Sequence, residues 1–109
     1  LILKHLFIYN MSSKPKSVVI KKSTKDGKKM MATFSLDNGR TKVVHFGQAG
    51  ADDYSKTRDI AQKSRYLKRH RRNENWNSPM TAGALSRWIL WNKETRGASI
   101  TDYKRRFNL

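Results

Sequence analysis

Hydrophobic residues along this chain change their spacing midway, from every second position to every third or fourth. Ser17-Val18-Val19-Ile20-Lys21-Lys22-Ser23 is rich in β-branched residues and predicts a strand. Lys25-Asp26-Gly27 marks a turn. Met30, Ala32, Phe34 and Leu36 then alternate with Met31, Thr33 and Ser35, the period of a half-buried strand. Asp37-Asn38-Gly39 signals a tight hairpin, since a two-residue Asn-Gly loop asks both central residues for a positive φ. Thr41-Lys42-Val43-Val44-His45-Phe46 returns as a third strand ending at Gly47. The first half therefore predicts a three-stranded antiparallel meander.

The loop from Gly47 to Tyr54 leads into a helical period from about Lys56 to Arg72. At roughly 100° per residue, Ile60, Ser64, Tyr66, Leu67 and His70 share one broad arc, expected to pack. Arg58, Arg65, Lys68, Arg69 and Arg72 share another. Asn73 to Asn77 break the helix. Ser78-Pro79 predicts a restart, with Ser as N-cap and Pro first in the helix, running to about Asn92 past Leu85, Trp88, Ile89 and Trp91. Ser99-Ile100-Thr101-Asp102 has the form of a capping box and predicts a short last helix. Its apolar stripe is Ile100, Tyr103 and Phe107, and its basic cluster is Lys104, Arg105 and Arg106. The expected fold is α+β, a meander followed by three helices packed on it through Met30, Phe34, Leu67, Trp88 and Leu90.

Charge changes the picture more than any motif. Twenty-four Lys and Arg stand against eight Asp and Glu, a net charge of +16 on 109 residues. Such an excess repels itself in a compact chain and is normally held for an anionic partner. The charge also divides by type: residues 1–50 hold nine Lys and one Arg, and residues 51–109 hold five Lys and nine Arg. Arg presents a planar fork suited to phosphate oxygens, so a polyanion site is expected in the second half. There is no Cys, which excludes disulfides and thiolate metal sites. No apolar run reaches the roughly 20 residues of a membrane span.

One domain fits this length. Residues 17–109 are expected to form it, and residues 11–16 to be a basic tail. The first Met is Met11, and residues 1–10 are expected to be upstream translation. An intracellular or intravirion setting follows from these readings as an expectation.

Lys56–Arg72 holds eight basic residues and one acid, Asp59. A merely solvated helix would more often intersperse acids at (i, i+4). The predicted nucleic-acid-binding set is Arg58, Arg65, Lys68, Arg69, Arg72, Trp76, Lys104, Arg105 and Arg106. Trp88 and Trp91 have the spacing of a packed helical face, whereas Trp76 lies in a polar loop and suits a surface role. His70 and Glu74 sit at (i, i+4), the spacing of an ion pair, with no third ligand nearby to make a metal site. Gly47-Gln48-Ala49-Gly50 is too short a signal for a phosphate-cradling loop. No catalytic residue, metal or cofactor is expected.

His45-Phe46-Gly47, Asp53-Tyr54, Arg65-Tyr66, Arg69-His70, Glu74-Asn75-Trp76, Thr81-Ala82-Gly83, Ser86, Leu90-Trp91-Asn92-Lys93 and Arg105-Arg106-Phe107 carry a resemblance. The chain resembles, from Ser17 to Phe107, a family of small basic proteins of unknown function encoded by large DNA viruses of algae and amoebae and by phages. Thr81 to Lys93 is the most specific part. Many relatives have His where this chain has Thr57 or a neighbour. The resemblance implies a viral or metagenomic source and a single domain, and it supplies no activity or ligand.

The expected function is non-catalytic, sequence-nonspecific binding of DNA or RNA through the phosphate backbone. The alternative is a virion-assembly role against acidic partners, and a further one a small metal-dependent nuclease using His45, Asp52 and Asp53.

Overall fold

The computed structural model describes residues 13–109. The reading of residues 1–10 as upstream translation lies outside them, as do the first two residues of the expected tail. Three strands, β1 (Pro15–Lys22), β2 (Lys28–Leu36) and β3 (Thr41–Gln48), form an antiparallel meander in the order β1-β2-β3. Pro15 and Lys16 belong to β1 and not to a tail. Proline is tolerated there because β1 is an edge strand and Pro15 its first residue. A register irregularity between Pro15 and Ser17 leaves Lys16 as the extra residue.

The alternation in β2 does what its period predicts. Val18, Phe34 and Lys42 lie in one cross-strand row, with Ile20, Ala32 and Val44 next, then Lys22, Met30 and Phe46. Phe34, Ala32 and Phe46 on this face are wholly buried. Each large side chain taken out of water there contributes about 1.5–3 kcal/mol. The opposite face carries Val19, Thr33 and Val43 in one row, with Val19 and Val43 exposed. Among the described residues the helices thus pack on the face of Phe34 and Phe46, and on the other face Met31 is buried.

The β2–β3 hairpin departs from the two-residue turn. Gly39 alone takes a positive φ, 86°, while Asn38 does not. The Gly39 N–H donates to the Leu36 carbonyl and the Leu36 N–H to the Arg40 carbonyl. The loop is therefore longer, with one left-handed residue at its end, a form in which glycine is needed once.

Four α-helices follow: α1 (Tyr54–Thr57), α2 (Ile60–His70), α3 (Ala82–Leu85) and α4 (Arg96–Phe107). The single helix expected from Lys56 to Arg72 is split. Arg58 turns left-handed at φ 55° and closes α1, and Asp59 then caps α2 by accepting from the N–H groups of Ala61 and Gln62. Such a cap is worth about 1 kcal/mol, enough to restart a helix after one broken residue. Ile60, at the first position of α2, is 63% exposed and not packed as the arc predicted. Tyr66 fills the buried position, with Leu67 and His70 half-buried and Ser64 exposed.

The later caps also shift. Thr81, not Ser78, caps α3, accepting from the Ala84 N–H at 3.1 Å, and Ser78-Pro79 lies in the preceding turn. Thr95, not Ser99, caps α4, accepting from the Ala98 N–H at 3.2 Å. Ser99 is instead buried inside the helix, where its hydroxyl accepts from the Lys93 N–H at 2.9 Å.

α3 continues into a π-helical turn, Ser86–Leu90, closed by the Trp91 N–H on the Ser86 carbonyl at 3.0 Å. A π turn inserts a residue into an α-helix and is a rare departure from it. Ile89 and Leu90 at its end, and Trp91 and Asn92 in the bend just past it, are all buried. Leu85, Ile89, Leu90, Trp91 and Tyr103 join Met30, Phe34 and Phe46 in one core, with Leu67 and Trp88 partly buried at its margin.

An ionic cluster ties sheet to helices. Asp53, fully buried, caps α1 through the Lys56 N–H and accepts from Lys29 Nζ at 2.6 Å and Arg96 Nη2 at 3.2 Å. Burial alone would push its carboxyl up. Hydrogen bonds from Lys29 and Ser55, with the charges of Lys29 and Arg96, outweigh it and hold the carboxyl below the usual range. One carboxylate thus binds β2, the β3–α1 loop and the start of α4.

Candidate nucleic-acid interface

Helix α2 presents its basic arc to solvent. Arg65, Lys68 and Arg69 are exposed along it, and Arg71 and Arg72 continue the line past its last residue. None of the five enters an ion pair among the described residues. The carboxylates that do pair are engaged elsewhere: Asp53 with Lys29 and Arg96, Asp52 with Lys56, Glu74 with His70, and Asp102 with Arg106. At 1.5 Å per residue, the stretch from Arg65 to Arg72 runs about 10 Å. That is about three nucleotide steps along one strand of a duplex, so several phosphates can be met at once.

Lys63, on the same helix, is withdrawn from this surface. Its Nζ donates to the Asn92 carbonyl at 2.6 Å and lies 4.7 Å from the centre of the Tyr54 ring. Burial, then the charges of Arg87 and Lys93, lower its pKa. Arg58, expected on the arc, stands exposed at the end of α1 and off α2.

The aromatic residues sort into two groups. Tyr66 stacks on Trp91, with ring centres 4.3 Å apart and planes 6° apart, and on His70 at 4.2 Å and 24°. This stack holds α2 against the π turn. His70 is fixed further by Nδ1, 3.0 Å from Glu74 Oε2. Glu74 also accepts from Trp76 Nε1 at 2.8 Å. Gly83 makes room for it, since a Cβ there would lie 2.9 Å from the Glu74 Cδ.

In the second group, Arg87 lies 4.2 Å and Arg106 3.7 Å from the centre of the Trp88 ring, and Arg87 is 5.4 Å from that of Trp76. Trp88 Nε1 donates to the Trp76 carbonyl at 2.8 Å. Trp76 is therefore half-buried and hydrogen-bonded, not a free loop indole. Arg87 was absent from the predicted set. Burial first, then the charge of Arg106 and, more weakly, that of Arg71, lower its pKa, although it stays charged at neutral pH. Arg87 thus stands within electrostatic reach of Arg106, in α4, and of Arg71, just past α2.

At the end of α4, Arg105 is exposed and Lys104 half-buried. Arg106 is partly committed, with Nη2 3.3 Å from Asp102 Oδ2. The predicted set therefore divides into a row on and just past α2 (Arg65, Lys68, Arg69 and Arg72), a group at the end of α4 (Lys104, Arg105 and Arg106) with Arg87 beside it, and two outliers, Arg58 and Trp76. Arg71 and Arg87 were missed. Arg71 falls inside the arc expected to pack, between Ile60 and Ser64, and Arg87 is recognisable only once Trp88 is known to face it.

His45 lies on the face of the sheet opposite Phe34 and Phe46, its Nδ1 2.8 Å from Ser23 Oγ. It is in the same cross-strand row as Met31. Asp53 is locked in its ionic cluster. Among the described residues no group of three His, Asp or Glu side chains converges to hold a metal. Nor is any helix among them long and apolar enough to cross a membrane.

Residues 18–70 match a family of unknown function, DUF5754. The match takes in most of β1, then β2, β3, α1 and α2, and so contains Arg65, Lys68 and Arg69. Thr81 to Lys93 and the end of α4 lie beyond it. No curated protein and no solved structure matches the chain.

Proposed function

We propose that this protein is a non-catalytic, sequence-nonspecific nucleic-acid-binding domain that reads the phosphate backbone. The observation that carries the proposal is the exposed row Arg65, Lys68, Arg69, Arg71 and Arg72, without a counter-charge among the described residues. In a chain with eight acids, those that pair are spent on structure, and this row is left for an external anion. Four of the five are Arg, whose fork suits phosphate oxygens. Arg105 and Arg106 extend the contact from α4. The resemblance to small basic proteins of large DNA viruses suggests a viral setting, inside an infected cell or the virion.

Binding of the full chain to labelled duplex DNA, single-stranded DNA, RNA and heparin across a salt series tests this. The proposal expects a nucleic acid to bind well above heparin at physiological salt, with log affinity falling linearly in log salt. Equal, weak binding of all four polyanions would overturn it in favour of an acidic protein partner in an assembly. Divalent-dependent cleavage of any probe would instead mark a nuclease.

A further inference from the structure

Beside the basic row lies a cleft of about 510 Å³, between the β2–β3 end of the sheet and helices α2 and α3. Its volume is within the range of about 300–1,000 Å³ typical of small-ligand sites. Two cations on opposite sides of it, Lys28 at the start of β2 and Arg69 on α2, are exposed and make no ion pair among the described residues. The two carboxylates on its lining are already engaged, Asp52 by Lys56 and Glu74 by His70 and Trp76. The cleft therefore favours an anion.

Its other lining groups suit something flat with polar edges. The His70 ring ends the stack begun by Trp91 and Tyr66, and its side chain is 39% exposed. A planar base extends such a stack. The Gln62 Oε1 is taken by the Thr57 hydroxyl at 2.8 Å, and its two N–H donors have no partner among the described residues. Gln48 makes no side-chain hydrogen bond among the described residues, so its whole amide is open to a ligand. Side-chain amides present the donor and acceptor pairs that base edges match.

We propose that this cleft receives one unpaired nucleotide of the bound strand. Its phosphate meets Arg69 and Lys28, its base stacks on His70, and its edge faces Gln48 and Gln62. A base inside a duplex is stacked and paired and cannot enter such a cleft. The inference rests on the nucleic-acid reading above and adds to it a preference for single-stranded or distorted nucleic acid.

The test has two arms. In the first, the full 15N-labelled chain is titrated with AMP, UMP, ribose 5-phosphate and inorganic phosphate. Saturable shifts at Gly47, Gln48, Gln62 and Arg69 are expected for the nucleotides, with the two base-free phosphates at least about fivefold weaker, as loss of base stacking requires. Equal binding of inorganic phosphate, or shifts elsewhere, would overturn the proposal.

In the second arm, Ala82→Trp fills the cleft from an exposed lining position and leaves every basic residue in place. The wild type is expected to prefer a single-stranded oligonucleotide over its duplex by about tenfold, and the variant to lose that preference while still binding duplex. If Ala82→Trp melts early, the double variant Gln48→Ala, Gln62→Ala replaces it with the same expectation. Equal affinity of the wild type for both strand forms would sink the cleft assignment and leave backbone binding standing. Failure of every oligonucleotide to bind would sink both.

Discussion

Replacing Asp53 by Asn removes one charge and almost no volume, and it tests how the sheet is fastened to the helices. In the wild type the carboxylate is fully buried and accepts from Lys29, Arg96, Ser55 and the Lys56 N–H. The amide can keep a cap on α1 with its oxygen, but its NH₂ then faces donors. Lys29, whose side chain is only 15% exposed, is left with the Ala51 carbonyl alone, at 2.6 Å. Arg96 is 37% exposed and can turn partly to water, so Lys29 governs the cost. Removing one partner of a buried pair costs about 3–5 kcal/mol, and the lower end applies here because Arg96 relaxes. At about 4–8 °C per kcal/mol for a domain this size, the melting temperature should fall by about 12–24 °C.

Tryptophan fluorescence reads that unfolding, since Trp91 is buried in the core. The pH dependence gives a second reading. The Asp53 carboxyl titrates lower folded than unfolded, so the unfolded chain binds more protons between the two values. Wild-type stability is therefore full above the unfolded value of about 3.9 and lost as pH falls below it. The Asp53→Asn variant should flatten that acid limb, leaving the part due to Asp102, which is held low by the Asn92 hydrogen bond and by Arg106. A variant melting within about 3 °C of wild type, with an unchanged acid limb, would refute the account of this cluster.

Three further predictions concern the buried interior and its margin. Gly47→Ala should cost more than Gly39→Ala, although both glycines have positive φ, 78° and 86°. At Gly47 the new Cβ meets Leu90 Cδ1 at 2.8 Å and Lys29 Cβ at 3.1 Å, whereas at Gly39 it meets nothing. Overpacking adds about 1–3 kcal/mol to the shared backbone strain, and denaturant midpoints compare the two. Tyr103→Phe should lose about 1–2 kcal/mol, because the buried hydroxyl donates to the Pro79 carbonyl at 2.6 Å. Burial pushes the Tyr103 and Tyr66 hydroxyls up, so neither should show phenolate absorbance near pH 10 until the domain unfolds.

The meander was legible because the alternation that specifies it acts locally. Period-two alternation in β2 assigns Phe34 and Thr33 to opposite faces without knowledge of anything else in the chain. Helix boundaries were less legible because Ser78, Thr81, Thr95 and Ser99 are all chemically fit to cap. Which of them does so depends on tertiary demand. Ser99 was needed inside α4 to satisfy the Lys93 N–H, so the cap moved to Thr95. The π turn was invisible, since Ser86–Leu90 reads as ordinary helix from its apolar spacing.

At the candidate site, the α2 row could be read from charge and period because a solvent-facing arc needs no partner. The withdrawal of Lys63 could not, for it depends on the Asn92 carbonyl, 29 positions away. Nor could the pairing of Arg87 and Arg106 on Trp88. Neither the cleft nor its Lys28 wall could be foreseen, because it joins the first residue of β2 to a helix face by tertiary packing.

The salt dependence of duplex binding by the Arg65→Glu, Arg69→Glu variant, beside the wild type, tests phosphate contact by α2 most directly. Neither side chain is buried, or ion-paired among the described residues, so stability should change by no more than about 0.5 kcal/mol. Each phosphate contact contributes about 0.9 to the slope of log affinity against log salt, so losing two should lower it by about 1.8. A folded variant with wild-type affinity and wild-type slope would contradict the account.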